Sequence, residues 1–361
     1  MRDDEPFCQS VQSEDHTWAV VGATGLVGRE VLSILEERGV SAGRVRLLAS
    51  ERSAGKVMRF AGEEIVIESV EGASFAGVDA AIFCASAEVA RTYAPRAIED
   101  GALVIDNSSA FRLDKDVPLV VPEINGHLLK DGPRLVANPN CSTIILLAAL
   151  EPLRQWFGIS GITVATYQAM SGAGQRGLEE LAAQTRARAT GEPVMPAYFA
   201  EPCAGNVFSH DSEVEAETGV NGEERKIIAE SRKIWEDEHL RISPTCIRVP
   251  VERAHTQAIT VELRAPAKES KLRDALASAP GLAIVDDRAA NSFPTPLKAT
   301  GQDDIFVGRI RRDPGSVGGQ YDHDLRWCLL VSADQLRKGA ALNAVQIALQ
   351  ALRAQVSRAL L

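Results

Sequence analysis

What the chain lacks narrows its class first. None of its six cysteines, Cys8, Cys84, Cys141, Cys203, Cys246 and Cys328, stands in a C-x-x-C pair or in a cluster with histidine. A structural zinc site is therefore not expected, and no metal is called for. Nor is a disulfide framework expected in a chain of 361 residues, so a reducing, cytoplasmic setting fits. No apolar run is long enough to span a bilayer, and no basic-then-apolar leader opens the chain. Positive charge is in deficit: the formal net charge is −10, which argues against a general nucleic-acid or membrane-surface binder. Internal repeats and low-complexity tracts are absent. What is present is an ordinary globular composition, 45% hydrophobic and 24% charged, with length enough for two domains and a sizeable core.

Residues 1–16 are polar and acidic and are expected to form a loose N-terminal extension. Residues 17–140 alternate short apolar strands with helices. A strand over 18–21 leads into Gly22-Ala23-Thr24-Gly25-Leu26-Val27-Gly28. A helix over 29–37 and a strand over 45–49 complete a βαβ unit. Strands over 80–84 and 103–106 with a crossover helix over 89–99 extend it. The pattern predicts an α/β, Rossmann-type doubly wound domain. Residues 141–334 change character, with β-rich stretches over 162–167, 245–251 and 258–265, and predict an α+β second domain. Residues 201–222 and 286–324 read as loops. Residues 335–361 read as a helix whose face Leu342, Val345, Ile347, Leu349 and Leu352 packs back on the first domain and completes it.

Two stretches carry chemistry. The G-x-x-G-x-x-G loop between a strand and a helix suits a pyrophosphate, because glycine lets backbone approach and a helix N-terminus faces the anion. At the end of the second strand stand Ser50, Glu51, Arg52 and Ser53. Arg52 and the serines suit a 2′-phosphate and favour NADP. Glu51 would favour NAD if it turned inward. The second stretch is Asn138-Pro139-Asn140-Cys141-Ser142-Thr143, followed by an apolar helix over 144–153. A thiol at a helix N-terminus is biased towards thiolate. Taken alone, Cys141 also reads as a small buried hydrophobe.

Further motifs fall in one order: Asn107-Ser108-Ser109-Ala110-Phe111-Arg112, Val121-Pro122-Glu123, Thr166-Tyr167-Gln168-Ala169 with Ser171-Gly172, Glu223-Glu224-Arg225-Lys226, Cys246-Ile247-Arg248 with His255, and Leu336-Arg337-Lys338-Gly339. Together with the two stretches above, they make the chain resemble the aspartate-semialdehyde dehydrogenase family over nearly all of residues 18–352. The resemblance implies NADPH-dependent reduction of L-4-aspartyl phosphate to aspartate semialdehyde and phosphate. That step feeds lysine, threonine, methionine and diaminopimelate synthesis. It implies a catalytic and dimerisation domain, and a homodimer.

By the same resemblance Cys141 is the acyl-thioester nucleophile, His255 the acid/base, and Gln168 a substrate contact at the catalytic centre. Arg248 clamps the α-carboxylate, Glu223 lies beside the amino group, and Arg112 and Lys226 hold phosphate, with Asn107 in the substrate set. Gly22, Thr24, Gly25, Leu26, Val27, Gly28, Ser50, Arg52, Ser53, Ser171, Gly172 and Gln335 form the cofactor set. Gln335 stands where a nucleotide-contacting amide, commonly asparagine, is expected.

Each has a plainer reading. His255 can be a satisfied structural histidine, and Glu223 and Lys226 at i, i+3 can simply pair along a helix. Departures from the family pattern are Cys84-Ala85-Ser86-Ala87-Glu88, which lacks paired glycines, Thr256-Gln257 after the histidine, and residues 313–326. N-acetylglutamyl-phosphate reductases share the chemistry, but carry glycine before the cysteine and Tyr-Pro-Thr after it. Glyceraldehyde-3-phosphate dehydrogenases differ more at the cysteine. A non-catalytic paralogue is disfavoured by the intact Cys141, His255, Arg248, Lys226 and Gln168.

Overall fold

The computed structural model describes residues 13–316 and 324–359. Residues 1–12, with Cys8 and most of the N-terminal extension, lie outside that range, as do residues 317–323 of the 313–326 departure. The chain divides into two compact units, Met1–Pro139 with Ala340–Leu361, and Asn140–Gly339.

The first unit is built on a six-stranded sheet. Its elements run β1 (Trp18–Val21), α1 (Leu26–Glu37), β2 (Val45–Ala49), a hairpin of β3 (Val57–Phe60) and β4 (Glu63–Val66), β5 (Glu68–Ser69), β6 (Ala80–Phe83), α2 (Ala87–Glu99), β7 (Leu103–Asp106), α3 (Pro122–Asn125) and β8 (Leu135–Ala137). The order β5-β2-β1-β6-β7-β8, parallel throughout, is the doubly wound arrangement. Alternation within each strand explains the two buried faces. Trp18, Val20, Ala80, Ile82, Leu103 and Ile105 face one core, shared with Val31 and Leu35 of α1 and with Leu342, Val345, Ile347, Leu349 and Leu352 of the C-terminal helix Leu342–Ala359. Ala19, Val21, Ala81, Phe83 and Val104 face a second core with Ala90, Ala94 and Ala97 of α2. Strands buried on both sides are necessarily continuous apolar runs, which is why they were legible.

Chain order reverses between β1 and β6, and the glycine loop sits at that switch point. Gly22 has φ +86°, and a Cβ there would lie 2.5 Å from the Cys84 carbonyl oxygen. Ahead of the sheet, Ser13–Asp15 is a short 3-10 turn, not loose chain. Ser13 Oγ donates to Arg38 O at 2.9 Å, and Trp18 Nε1 donates to Ser13 O at 3.1 Å.

The second unit contains α4 (Cys141–Phe157), β9 (Ile159–Gln168), α5 (Gln175–Thr190), β10 (Phe208–Ser209), α6 (Gly222–Trp235), β11 (Arg241–Arg248), β12 (His255–Leu263), α7 (Glu269–Ala277), β13 (Leu282–Ile284), α8 (Pro296–Ala299), β14 (Ile305–Arg312) and β15 (Arg326–Ala333). Its seven strands order as β10-β11-β9-β12-β15-β14-β13 in a mixed sheet. Helices α4, α6 and α7 pack on it. Strand β12 alternates strictly: His255, Gln257, Ile259, Val261 and Leu263 are buried, while Thr256, Ala258, Thr260 and Glu262 are half-exposed.

The expectation of a loop over 286–324 fails at β14, an eight-residue strand paired with β13 and β15. Its period is broken by a bulge between Gly308 and Arg311, with Arg309 at φ +53°, so charged residues intrude on the alternation. The C-terminal helix is also not continuous from residue 335. A π-helical turn, Arg337–Ala341, precedes it. No helix among the described residues is long and apolar enough to cross a membrane.

Candidate active site

Cys141 is the first residue of α4, and the cap is Asn140. The Asn140 side-chain oxygen accepts from Ser142 N at 3.0 Å and Thr143 N at 3.3 Å. Such a cap contributes about 1 kcal/mol and fixes the first turn. The other end of the same amide donates to Glu223 Oε1 at 2.8 Å, and Asn140 N donates to Glu230 Oε2 at 2.6 Å. Gln257, the second departure residue, donates from Nε2 to Ser142 O at 2.9 Å and so ties the same turn to β12. Gly339 in the π-helical turn lies against Cys141: a Cβ there would stand 3.1 Å from the Cys141 Cβ. Among the described residues no cysteine forms a disulfide. Burial pushes the Cys246 thiol up to about 12, which keeps it inert.

Glu223, on the first turn of α6, gathers side chains that the sequence marked as substrate candidates. It accepts from Asn140, from Gln168 Nε2 at 3.1 Å and from Lys226 Nζ at 3.2 Å. Burial alone would raise its pKa, but Lys226, His210 and the two amide donors outweigh it and hold the carboxylate at about 2. The i, i+3 pairing of Glu223 and Lys226 therefore exists, and it orients the lysine without removing it from solvent.

Arg248, at the end of β11 and 3% exposed, donates from Nε to Asp211 Oδ1 at 2.7 Å and from Nη1 to Ala169 O at 3.2 Å. That leaves the Nη2 side of the fork for a ligand carboxylate. His210 sits beside this group, its pKa lowered to about 4 by burial and then by Arg248.

His255 opens β12 and is fully buried. Its Nδ1 accepts from Ala169 N at 3.0 Å, while Nε2 has no hydrogen-bond partner. Burial first, then Arg248, lowers its pKa to about 3. A Cβ on Gly172 would lie 2.8 Å from Arg248 Nη1 and 3.3 Å from His255 Nε2, so both groups converge on that glycine. Gln335 braces the same region: Oε1 accepts from Ala254 N at 2.7 Å, and Nε2 bonds Ser171 Oγ. Ala254 holds φ +70°, so this bond secures a strained residue next to His255. Both ends of the Gln335 amide and the Ser171 hydroxyl are thus engaged with protein.

In the first unit Arg112 donates from Nε to Asn138 O at 2.9 Å and from Nη2 to Asn107 O at 2.7 Å. Asn138 Nδ2 donates to Asn107 Oδ1 at 2.8 Å. The glycine loop fits a dinucleotide. A Cβ on Gly28 would reach within 2.3 Å of Gly22 O, the turn admits no bulk, and α1 begins at Leu26 with no side-chain cap and no acidic residue in its first turn. Its opening N–H groups are available for an anion. Arg52 and Glu51 are both exposed on the turn after β2, and Ser53 is half-buried.

A dinucleotide-type parallel domain with a mixed-sheet domain that presents a helix-borne thiol defines a semialdehyde dehydrogenase. The model described as semialdehyde dehydrogenase, NAD binding domain, matches residues 17–132, and that described as its dimerisation domain matches residues 150–338. An aspartate-semialdehyde dehydrogenase of Synechocystis is 44% identical over 330 residues, 91% of this chain and 95% of its own length. The Vibrio cholerae aspartate semialdehyde dehydrogenase II solved in complex with ASA is 40% identical. It covers 95% of this chain and 99% of its own, with a TM-score of 0.88. The Candida albicans enzyme solved with NADP shares the fold at 23% identity and TM-score 0.72, covering 94% and 99%. The chain belongs to the aspartate-semialdehyde dehydrogenase family.

Sequence reasoning gave no role to Asn140, Asp211 or His210, and marked Gln257 only as a departure from the family pattern. Asn140 was legible as a cap, since asparagine before a helix is a standard signal. The other three act through contacts distant in sequence, which no local pattern shows.

Proposed function

We propose that the chain is an NADP-dependent, phosphorylating aspartate-semialdehyde dehydrogenase that reduces L-4-aspartyl phosphate through an acyl-thioester on Cys141. The observation that carries this is the hydrogen-bonded chain from Cys141's own cap, Asn140, through Glu223 to Gln168 and Lys226. It holds a nucleophile next to a carboxylate that stays ionised and an exposed ammonium.

The thiolate of Cys141, favoured by the N-terminus of α4, attacks the acyl carbon, and phosphate departs. Lys226 and Arg112 are the cations suited to that phosphate. Arg248 takes the α-carboxylate on its remaining N–H groups, and Asp211 holds the guanidinium plane. Glu223 offers its charge to the α-ammonium. Gly22, Thr24, Gly25, Leu26, Val27 and Gly28 would hold the pyrophosphate, and Ser50, Arg52 and Ser53 the 2′-phosphate. NADPH, when bound, supplies the hydride for the reduction. Ser171, Gly172 and Gln335 stay in the cofactor set, and Gln335 also braces the His255 segment through Ala254 N and Ser171 Oγ.

A second copy is expected on the open face of the seven-stranded sheet, where Tyr167 is 38% exposed beside Thr163, Ser243 and Thr245. A cytoplasmic location fits the thiols. The product then feeds lysine, threonine, methionine and diaminopimelate synthesis. The test is oxidation of aspartate semialdehyde with phosphate and NADP, followed at the nicotinamide absorbance. Phosphate-dependent turnover supports the proposal, and none under any cofactor rejects it.

A further inference from the structure

We infer that His210 is a further substrate-binding residue, whose ring donates from Nε2 to the α-carboxylate that Arg248 holds. The inference rests on the function proposed above and deepens it by adding a second donor at the carboxylate end of the site.

The first ground is position. Strand β10 pairs antiparallel with β11, setting Phe208 opposite Arg248 and Ser209 opposite Ile247. His210 continues that register, its N–H donating to Cys246 O at 2.9 Å. Directly opposed residues share one face of a sheet, so His210 falls on the face of Cys246 and Arg248. Strand β9 sets Gln168 beside Arg248 and Thr166 beside Cys246 on the same face. The ring therefore stands one row from Arg248 and Gln168, where Gln168 meets Glu223 of α6.

The second ground is which ring nitrogen is free. Ser212 N donates to Nδ1 at 3.1 Å. A backbone N–H can only donate, so Nδ1 presents its lone pair, and the single proton of a neutral ring sits on Nε2. Burial, then the charge of Arg248, lowers the pKa to about 4, so the ring is neutral near pH 7. Ser212 Oγ lies 3.1 Å from Nδ1 and accepts from Glu223 N at 3.0 Å, which ties the ring to the first turn of α6. Nε2 makes no hydrogen bond to any described residue. The side chain is 8% exposed, and Nε2, unlike His255 Nε2, is not fully enclosed. A donor placed there gains most from an anionic oxygen, because that bond is charge-assisted.

The third ground decides which anion. The charges acting on the ring are, from strongest to weakest, Arg248 of β11, Glu223 of α6, the neighbouring Asp211, and Lys226 of α6. Arg248 marks the carboxylate end and acts most. Lys226 marks the phosphate end and acts least. Arg248 itself has Nε committed to Asp211 Oδ1 and one Nη1 proton to Ala169 O. Of the five N–H groups of a guanidinium about three then remain, against about four acceptor sites on an ionised carboxylate. A neighbouring neutral N–H supplies the missing donor without adding a charge to the pocket.

His210→Asn and His210→Gln separate the two jobs of the ring. Asparagine places an oxygen where Nδ1 accepts from Ser212 N, the ordinary Asx turn, and removes the outer donor. Glutamine carries its amide out to the place of Nε2 and leaves Ser212 N without its acceptor. Aspartate semialdehyde is oxidised with phosphate and NADP, each varied in turn. His210→Asn should keep the parent's Tm and lose about 10- to 100-fold in kcat/KM for aspartate semialdehyde, through KM, with the KM for phosphate unchanged. His210→Gln should melt lower, yet recover at least about five-fold of that loss. A purely structural ring predicts the reverse order, with His210→Asn near the parent and His210→Gln worse, and that result overturns the inference. A rise confined to the KM for phosphate overturns it too. Should His210→Gln not fold, nitrogen NMR on the parent labelled in its histidine rings decides. The His210 signal, assigned by its loss in His210→Asn, must show Nε2 protonated at pH 7 and must shift when aspartate semialdehyde is added. A proton on Nδ1, or a signal unmoved by saturating aspartate semialdehyde, overturns the inference. A parent that oxidises no aspartate semialdehyde removes the proposed function, and the same titration then still decides whether His210 meets an α-amino carboxylate.

Discussion

The glycine loop of the first unit and the cysteine cluster of the second are built in opposite ways. The loop uses almost no side chains: on the proposed reading backbone N–H groups at the start of α1 would bind the pyrophosphate, and the loop's shape is set by where a Cβ cannot go. The cluster is made almost wholly of side chains, nearly all buried and each held by another. Asn140 caps the cysteine's helix and bonds Glu223; Glu223 bonds Gln168 and Lys226; Asp211 holds Arg248; Ala169 holds His255. The first should therefore fail when atoms are added, and the second when atoms are removed or reshaped.

Short of replacing Cys141 itself, the largest effect should come from reshaping the cluster. Arg248→Lys keeps the charge but loses the Nε bond to Asp211 and the planar fork. Its kcat/KM for aspartate semialdehyde should fall about 10²–10³-fold, since severing one partner of a buried charged pair costs roughly 2–5 kcal/mol. Lys226→Ala should instead raise the KM for phosphate. Saturation curves with each substrate varied in turn separate the two. A phosphate KM untouched by Lys226→Ala would contradict its assigned role.

Adding atoms to the loop is the converse experiment. Gly28→Ala drives a Cβ into the Gly22 carbonyl and should destabilise the chain by about 1–3 kcal/mol, as overpacking does. Gly25→Ala meets nothing closer than 3.4 Å and should leave Tm unchanged while weakening NADP binding. Equal Tm values for the two variants would show that the turn is not close-packed as described.

Arg52, with Ser50 and Ser53, is proposed to set the choice of cofactor in the loop region. Arg52→Ala should reduce the NADP over NAD preference by about 10- to 100-fold, the worth of one charge-assisted contact. An unchanged ratio would hand the decision to Glu51.

The smallest effects should appear in pH titration of stability, and they belong to the cluster alone. His255 sits near 3 in the folded chain against an ordinary 6.5, and His210 near 4. Between those values and 6.5 the unfolded chain binds the extra protons, so their contribution, present above 6.5, is lost as pH falls. Glu223, near 2 against 4.5, adds a second loss between 4.5 and 2. Tm should fall steadily below pH 6.5, and His255→Gln should flatten the upper part of that fall. A Tm flat from pH 6.5 to 4.5 would mean that the rings are not buried as neutral bases.

The same contrast governs how much could be read from sequence. The doubly wound unit was legible because its signals are local: apolar runs of four, a spaced glycine loop directly after one of them, a helix directly after that. The Cys141 turn was legible for the same reason: Ser142 and Thr143 suit a first helical turn, and the helix begins one residue earlier, at Cys141 itself. The supports of the cluster were not legible. Asn140 and Glu223 are 83 residues apart, and Gln335 and Ser171 are 164 apart. Nothing near Gln335 marks its bonds to Ala254 N and Ser171 Oγ. Strand β14 was hidden by its own bulge, where three arginines occupy positions that a regular strand would alternate.

The central claim is that Cys141 carries the acyl group, and trapping measures it most directly. Enzyme mixed with aspartate semialdehyde and NADP without phosphate is quenched in acid, digested and weighed by mass spectrometry. The peptide bearing Cys141 should gain one aspartyl group. The adduct should discharge when phosphate is added before the quench, and it should be absent from Cys141→Ser, whose turnover should fall by more than about 10⁴-fold. An unmodified Cys141 peptide during turnover, or near-normal turnover by the serine variant, would contradict the account.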